Sequence, residues 1–349
     1  MSSKTAPSTI TVGLDLGDRF SRYCEMDLKS GVIAEGRLRT TDDALARQFA
    51  GREPLRVVME VGTHSPWVSR LLERLGHEVL VANARRVRLI YANDAKNDKV
   101  DAETLARVGR LDPKLLFPIR HRGEQAQAAL ACLRARDCLV RARTQLVNHV
   151  RGAVKAWGGR LPATSTPAFV RKAAPHIPET LRPALQPVLG MIETLSQQIR
   201  AADRQLESLA RESYPETERL RQVAGVGTIT ALCFVLTLED PDRFMNARSV
   251  GAYLGLTPRQ RDSGRAHPQL RITKRGDAML RRLLVGSAQY ILGPFGPDSD
   301  LRDWGLRLAQ RGGKNAKKRA VVAVARKLAG LLFTLWTTGA DYEPLRQAA

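Results

Sequence analysis

The sequence predicts an α/β domain followed by a mainly helical region, and two observations predict this order. Early in the chain, short β-branched runs such as ITVGLDLG, LRVVMEV and HEVLVAN alternate with amphipathic stretches. From about residue 120 onward, apolar residues recur at helical spacing among many arginines. We therefore expect three domains, at residues 1–118, 119–215 and 216–349.

The first domain begins with three strand-like runs joined by turn residues, and this pattern predicts an antiparallel meander. The runs are ITVGLDLG, SRYCEMDL and VIAEGRLRT. The next stretch, TDDALARQFAG, has Thr41 as a cap, acidic residues in its first turn and a closing Gly51, so it predicts a helix. Strand LRVVMEV, helix SPWVSRLLERLG and strand HEVLVAN follow. Three hairpin strands and then alternating helices and strands are the order of a ribonuclease-H-like fold.

Four acidic residues in this domain form a candidate metal-binding set. Asp15 and Glu60 lie in or at the end of strand-like runs, whereas Asp98 and Asp101 are three residues apart where a helix begins, and so share one face. Carboxylates that converge repel one another unless a cation lies between them, and oxygen ligands suit Mg²⁺ or Mn²⁺. Two such ions, about 3.5–4 Å apart, commonly catalyse displacement at a phosphodiester. The set therefore predicts a nucleic-acid-processing site.

Each of these acids also has a purely structural interpretation. An aspartate after a strand is often a turn residue, and DAETLA is also the start of an ordinary capped helix. The four residues together, in this order, favour the metal site. We expect the nearby acids Asp18, Asp27 and Asp94 to lie outside it.

Composition favours a polyanionic partner. The chain has 56 Lys and Arg against 35 Asp and Glu, a net charge of +21, which is far from that of an ordinary metabolic enzyme. We expect neither a signal peptide at the start of this sequence nor an apolar run long enough to cross a bilayer. Its four cysteines show no CxxC spacing, so we expect neither a zinc site nor a disulfide framework, and we expect a reducing cytoplasm.

The middle region predicts two long helical segments. The first, from residue 120 to about 157, is basic, and its face is either merely solvated or contacts a phosphate backbone. A Pro- and Gly-containing connector is expected over residues 158–183. The second segment carries a heptad pattern that predicts a coiled coil, either within the chain or between copies of it. Its apolar positions are Val188, Ile192, Leu195, Ile199, Ala202, Leu206 and Leu209. The arginines of the first helix expected to contact nucleic acid are Arg141, Arg143 and Arg151.

The last region contains three candidate nucleic-acid-binding features. LRQVAGVGTITALCFVLTL has the pattern of a helix-hairpin-helix, in which backbone N–H groups hold a phosphate. A polar loop carries Ser263-Gly264 among basic residues, although Ser-Gly is also an ordinary turn and composition alone favours that interpretation. The basic residues of this loop are Arg259, Arg261, Arg265, Arg271, Lys274 and Arg275. Residues 307–327 hold eight Lys or Arg and no acid, which predicts a basic helix as a nucleic-acid arm; it includes Lys314, Lys317, Lys318 and Arg319.

Five stretches in order along nearly the whole chain carry a family resemblance. They are VGLDLGDRFS, VVMEVGTHSPWVSRLLERLGHEVLVANARRVR, KNDKVDAETLA, LRQVAGVGTITA and YLGLTPRQRDSGRAHPQLRITKRGDAMLRRLL. In these stretches the chain resembles the DEDD-type insertion-sequence transposases, a family of serine-using recombinases guided by a structured RNA. The resemblance implies that Asp15, Glu60, Asp98 and Asp101 form the metal-binding quartet of a RuvC-like domain. It also reverses the interpretation of Ser263, which becomes the nucleophile; Ser287 is the alternative.

The resemblance further implies the partners. We expect donor and target double-stranded DNA, a structured guide (bridge) RNA, and a tetramer of two dimers whose active sites combine the RuvC-like domain of one subunit with the serine domain of another. Two alternatives stay open: a metal-dependent junction-resolving nuclease that does not use the serine, and a non-catalytic nucleic-acid-binding protein. We expect the protein in the bacterial cytoplasm, associated with the nucleoid.

Overall fold

The computed structural model describes residues 10–27, 31–83, 98–261 and 270–345. The chain forms two compact units, residues 1–123 and residues 124–349. The first boundary lies near the expected one. In the second unit, the start of the first long helix and the end of the second share one apolar core with the C-terminal helices. The division into three domains stays a prediction.

A five-stranded mixed sheet forms the centre of the first unit. Its strands are β1 (Ile10–Asp15), β2 (Phe20–Asp27), β3 (Gly31–Arg39), β4 (Arg56–Glu60) and β5 (Glu78–Ala82). The strand order is β3-β2-β1-β4-β5, with β2 antiparallel to both neighbours and β1, β4 and β5 parallel. The predicted meander and the mixed α/β architecture are confirmed, and the order is consistent with a ribonuclease-H-like domain.

Helices cover both faces of this sheet. They are α1 (Asp42–Phe49), α2 (Ser65–Arg74) and α3 (Asp98–Leu111), followed by a short 3-10 helix at Pro113–Leu116. Thr41 caps α1 as expected, its side chain accepting a hydrogen bond from the Ala44 N–H at 3.4 Å. Because side chains alternate along a strand, Val12 and Leu14 of β1 pack with Leu45 and Phe49 of α1, and the residue between them faces the other way.

Two long helices dominate the start of the second unit. They are α4 (Glu124–Ala156) and α6 (Arg182–Ser213), and they run antiparallel, because Val154 packs near Leu185 whereas Arg136 bonds Asp203. Part of the expected connector between them forms short helices. It contains α5 (Phe169–Ala173) and three 3-10 turns, and the Phe169 ring is fully buried.

The buried side of α6 packs against other parts of the same chain, and its buried residues differ in part from the predicted heptad positions. Ile192, Ile199 and Leu206 are buried as predicted. The alternate positions differ, because Ser196 is buried where Leu195 was expected and Leu195 is only half-buried. The same one-residue shift occurs at two other seam positions, where Leu189 and Ala210 are buried and the predicted Val188 and Leu209 are half-buried. A coiled coil between copies of the chain stays a prediction.

Six further α-helices follow among the described residues of the second unit. They are α7 (Glu216–Arg221), α8 (Thr228–Leu238), α9 (Ala247–Tyr253), α10 (Ala278–Leu292), α11 (Asp300–Gln310) and α12 (Ala316–Thr338). The prediction of one basic helix over residues 307–327 is wrong, since α11 ends at Gln310. The chain breaks there because Gly312 and Gly313 have φ of 75° and 87°, in the left-handed region that interrupts a helix.

Helix α12 is, by length and composition alone, apolar enough to cross a membrane, with a mean hydropathy of 1.5 over its most apolar window. The expectation that no run meets this criterion is therefore wrong. Val324, Leu328 and Leu332 of α12 are fully buried in the core of the second unit. Burial of this kind is what a core helix of a folded domain shows.

Candidate functional site

Two of the predicted acids end neighbouring strands of the sheet. Asp15 is the last residue of β1 and Glu60 is the last residue of β4. These strands are parallel, and Leu14 is in register with Met59, so the two acids follow the last matched pair. Both are half-buried, and the Oε1 atom of Glu60 is shielded from solvent. The fold therefore places these two carboxylates side by side at one edge of the sheet.

Both acids share the sheet face that α3 covers. Gly13, two residues before Asp15, lies so close to α3 that a Cβ built there would be 1.9 Å from the carbonyl oxygen of Ala102. Val58, two residues before Glu60, packs against Gly109 of the same helix. Since strand side chains repeat every two residues, Asp15 and Glu60 lie on this face as well.

The direction of α3 brings its first turn toward the same edge. At its C-terminal end, Arg110 donates a hydrogen bond to the carbonyl oxygen of Asp27, which is paired with Ile10 at the start of β1. Arg56, the first residue of β4, bonds the Gly109 carbonyl oxygen at 3.5 Å. The C-terminal end of α3 thus lies over the strand starts, and its N-terminal end lies toward the strand ends.

The other two predicted acids are in this first turn. Asp98 is the first residue of α3, and its side chain lies outside what the structure describes. Asp101 is half-buried and lies one helical turn before Leu105, whose side chain is buried against the sheet. The helical repeat therefore continues the sheet-facing stripe of α3 into Asp101.

The donor set fits a hard cation. Asp15, Glu60 and Asp101 offer only carboxylate oxygens, the ligands that Mg²⁺ and Mn²⁺ prefer. Among the side chains that the structure describes, no group of three His, Cys, Asp or Glu is gathered closely enough to hold a metal. The full quartet, which includes the Asp98 side chain, therefore stays a prediction. The structure shows a shared edge and face, and does not show a closed cluster.

Two of the three neighbouring acids, Asp18 and Asp27, are described, and both lie outside this arrangement. Asp18 follows β1, its side chain is 92% exposed, and it contacts His64. Asp27 is opposite Ile10, at the far end of the sheet. Asp94 lies outside the described residues.

Two histidines that were not among the predicted site residues lie in loops of the first unit: His64 follows β4, and His121 follows the bridge between Ile119 and Val81. The Nε2 atom of His64 is 3.6 Å from Asp18 Oδ1, and its Nδ1 atom accepts a hydrogen bond from Trp67 Nε1 at 3.1 Å. His121 Nε2 is 2.9 Å from the hydroxyl oxygen of Ser65. Burial lowers the pKa of His121, and the positive charges of nearby arginines lower it further. The sequence does place His64 close to the site, because it follows Glu60 by four residues and precedes Trp67 by three.

Ser263, Gly264 and Arg265 lie outside the described residues, but the ribbon that leads to them is described. On this ribbon the Arg259 N–H donates to the Arg271 carbonyl oxygen at 2.9 Å, and the Thr273 N–H donates to the Thr257 carbonyl oxygen at 2.9 Å. Its basic side chains are exposed, as expected for a nucleic-acid contact: they are Arg259, Arg261, Arg271, Lys274 and Arg275.

The alternative nucleophile, Ser287, is only 4% exposed within the core helix α10. A DNA phosphate cannot reach a hydroxyl in this position without unfolding the helix packing. By contrast, the basic side chains of the described ribbon residues are open to solvent.

The predicted basic contacts on α4 differ in exposure. Arg141 is largely exposed and is 3.2 Å from Asp137. Arg143 points into the α4–α6 hairpin, where it bonds the Ser196 hydroxyl at 3.2 Å and burial lowers its pKa. Arg151 lies over the Phe169 ring at 5.1 Å. Of these three arginines, Arg141 is the one most open to a phosphate backbone.

The structure also describes two other regions that were predicted to contact nucleic acid. The exposed residues Lys314, Lys317, Lys318 and Arg319 flank and begin α12. The Gly-x-Gly segment joins α7 to α8, with Gly227 as the residue that precedes α8. Two helices and a turn are therefore present, and their role as a phosphate-binding helix-hairpin-helix stays a prediction.

Comparisons with known proteins match both ends of the chain. A family model named for the DEDD transposase of IS110 and described as a transposase matches residues 12–157, which include the four acids. A second model, described as "Transposase IS116/IS110/IS902 family", matches residues 217–299, which include Ser263.

Whole-length relatives agree with these family matches. The transposase for insertion sequence element IS1328 of Yersinia enterocolitica is 30% identical over 341 residues, covering 95% of this chain and 98% of that protein. A probable family 20 transposase of Pseudomonas aeruginosa is 29% identical over 342 residues, covering 95% and 98%. The transposase for IS1111A of Coxiella burnetii is 27% identical over 339 residues, covering 95% and 90%. The chain therefore belongs to the IS110/IS116 family of DEDD transposases, and it is a DNA-recombining enzyme of an insertion sequence.

Proposed function

We propose that this transposase cuts and exchanges DNA strands with Mg²⁺ held by Asp15, Glu60, Asp98 and Asp101 and with Ser263 as the nucleophile. The observation that supports the proposal best is the placement of Asp15, Glu60 and the first turn of α3 at one edge and on one face of the sheet. Bound Mg²⁺, or Mn²⁺ in its place, would lower the pKa of an attacking hydroxyl and stabilise charge on the leaving oxygen.

The chemical step is a balanced transesterification. The Ser263 hydroxyl oxygen forms a bond to phosphorus, a deoxyribose oxygen leaves that phosphorus, and the hydroxyl proton is transferred to the leaving oxygen or to solvent. The resulting phosphoserine linkage preserves one phosphoester bond for each one broken. A hydroxyl of a second strand then attacks the same phosphorus and releases Ser263, so no external energy source is required.

Binding is proposed to depend mainly on backbone contacts. Exposed basic side chains of α4, the serine ribbon and α12 hold donor and target DNA and a structured guide RNA, while base pairing with that RNA selects the site. The RuvC-like domain of one subunit faces the serine domain of another in a tetramer of two dimers, with the α6 region contributing to self-association. This assembly acts in the bacterial cytoplasm at the nucleoid.

The test is a search for a covalent protein–DNA adduct. Purified protein is incubated with the RNA of its flanking region, end-labelled element-junction and target DNA, and Mg²⁺, and the products are separated on a denaturing gel. We expect an adduct that disappears with Ser263→Ala, with Asp15→Ala and with EDTA. Clean cutting without an adduct, unchanged by Ser263→Ala, would instead establish a metal-dependent nuclease.

A further inference from the structure

His64 lies at the edge of the sheet that carries the acidic site. It follows the end of β4 by four residues, and Asp18 follows the end of β1 by three. Since β1 and β4 are adjacent and parallel, both loops leave the sheet at the same edge. The 3.6 Å separation between His64 Nε2 and Asp18 Oδ1 joins the two loops there.

The ring of His64 is held in one tautomer. An indole N–H is a donor only, so the His64 Nδ1 atom, 3.1 Å from Trp67 Nε1, must be the acceptor. A neutral imidazole that accepts at Nδ1 carries its proton on Nε2. The two rings are nearly perpendicular, with an interplanar angle of 86° and ring centroids 6.1 Å apart. Trp67 therefore presents His64 as an Nε2–H donor.

The loop that carries His64 is also fixed in shape. The Gly62 N–H donates to the Ser65 hydroxyl oxygen at 2.9 Å, Ser65 is fully buried, and His121 contacts the same hydroxyl. The His64 side chain is 27% exposed, so its free edge is accessible from solvent. The separation from Asp18 is longer than a hydrogen bond, and the Asp18 side chain is free to turn into solvent.

We propose that His64 contacts substrate directly, donating a hydrogen bond from Nε2 to a non-bridging oxygen of the DNA phosphate next to the one held at Asp15 and Glu60. A fixed N–H donor beside a carboxylate site suits a phosphate oxygen, because phosphate is the acceptor that the acids themselves cannot bind without a cation. Before DNA binds, the Asp18 carboxylate lies beside the Nε2–H group of His64, and it moves into solvent when the phosphate binds there. This inference rests on the proposed function and adds a residue to its site.

The experiment uses the full-length protein with its flanking-region RNA and a labelled element-junction duplex. Single-turnover strand cleavage in Mg²⁺ and duplex affinity are measured for the wild type, His64→Ala, His64→Gln and Trp67→Phe. We expect His64→Ala to lose about 10- to 100-fold in cleavage rate, as for a lost hydrogen bond to a charged group. His64→Gln, whose amide retains a donor near the Nε2 position, should recover most of that loss. His176→Ala, which changes an exposed histidine of the second unit, is the control and should cleave like the wild type.

Two readouts separate a phosphate contact from a structural role. Replacing one junction phosphate at a time by a neutral methylphosphonate should find a position that weakens the wild type but causes no further loss in His64→Ala. In addition, ¹⁵N NMR of histidine-labelled protein should show Nε2–H as the tautomer of His64 and a mixture of tautomers in Trp67→Phe.

The outcomes distinguish this inference from the proposed function. If the wild type cleaves and His64→Ala cleaves equally fast, His64 is not a substrate contact and the proposed function stands. The inference also fails if every methylphosphonate position affects the wild type and His64→Ala alike. If the wild type neither cleaves nor forms an adduct with any junction in Mg²⁺, the proposed function itself is wrong.

Discussion

At the scale of single residues, Gly13 allows α3 to lie directly on the sheet. A Cβ at this position would be 1.9 Å from the Ala102 carbonyl oxygen and 2.6 Å from the Ala106 nitrogen, and both are backbone atoms of α3 that cannot move independently. The absence of a side chain at Gly13 thus determines how closely the turn carrying Asp101 approaches Asp15. A residue that has no chemistry of its own sets the dimensions of the acidic site.

We expect Gly13→Ala to lower the free energy of unfolding by about 3 kcal/mol or more, because the overlap with backbone forces α3 away from the sheet. Chemical denaturation followed by circular dichroism measures the change. Gly152→Ala is the matched control: Gly152 is exposed near the C-terminal end of α4 with open space around its Cβ position, so this change should stabilise by up to about 0.5–1 kcal/mol. Equal stabilities for the two variants would contradict the close packing.

His121 predicts a pH dependence of stability. Burial and the charges of Arg70 and Arg122 lower its pKa in the folded protein, so the folded state favours neutral imidazole. Between the lowered folded pKa and the unfolded value of about 6.5, the unfolded chain binds more protons. The contribution of His121 is therefore fully present above about pH 6.5 and is lost as the pH falls toward the folded pKa.

The measurement is thermal unfolding of the wild type and His121→Gln at pH 7.5 and pH 5.5. We expect the loss of stability on acidification to be smaller in His121→Gln, since glutamine cannot be protonated but can still bond Ser65. Identical pH profiles for the two proteins would show that the His121 environment does not couple to folding.

At the scale of elements, Arg281 ties together the two ends of the ribbon that leads to Ser263. This residue of α10 donates from one nitrogen, Nη1, to the Leu254 carbonyl oxygen at 2.9 Å and to the Arg275 carbonyl oxygen at 2.8 Å. Leu254 precedes the ribbon and Arg275 lies at its C-terminal end. The described part of the ribbon is therefore held on the second unit by a side chain of α10.

We expect Arg281→Met to reduce adduct formation at least about ten-fold while lowering the melting temperature by only a few degrees, because two hydrogen bonds to backbone carbonyl oxygens are worth about 1 kcal/mol each. The adduct gel measures the first effect, and hydrogen exchange at residues 270–275 reports whether the ribbon has loosened. Arg248→Met, which removes an exposed arginine of α9, is the control. Full adduct yield from Arg281→Met would show that the ribbon is held by other contacts.

At the scale of the whole molecule, the residues proposed for catalysis are divided between two separately packed units. The acids belong to the first unit, and the ribbon that leads to Ser263 belongs to the second. Each unit has its own apolar core, the first around the sheet and the second around α8 and α12. Two independent cores allow the units to unfold separately, and metal binding should affect one of them.

We expect Mg²⁺ to raise the unfolding temperature of the first unit alone. At about 100 times its Kd, a ligand that binds only the folded state stabilises by about 2.7 kcal/mol. In Asp15→Asn, Mg²⁺ should have little effect, but without metal this variant should be as stable as the wild type or more so, because one repelling charge is gone. Differential scanning calorimetry of the full-length protein with Mg²⁺ or EDTA measures both effects. Equal Mg²⁺ shifts in the wild type and Asp15→Asn would place metal binding elsewhere.

The sequence by itself determined those features that depend on local patterns. Strand alternation, the Thr41 cap and the order of elements were predicted correctly because each depends on neighbouring residues. The positions of Asp15 and Glu60 in or at the end of strands could be predicted from the sequence for the same reason. The break at Gly312-Gly313 was equally local, but it was overlooked because the charge pattern runs through it.

Only the tertiary structure decided which surfaces meet. The buried seam of α6 includes Ser196 in place of Leu195, because burial depends on where α4 lies and on the polar partner Arg143 that α4 supplies. The direction of α3, the Trp67–His64 hydrogen bond and the Arg281 contacts likewise join residues whose proximity depends on the packing of whole elements. Local periodicity defines which face of an element is apolar, whereas the contacts that position a side chain for chemistry arise only when the elements pack together.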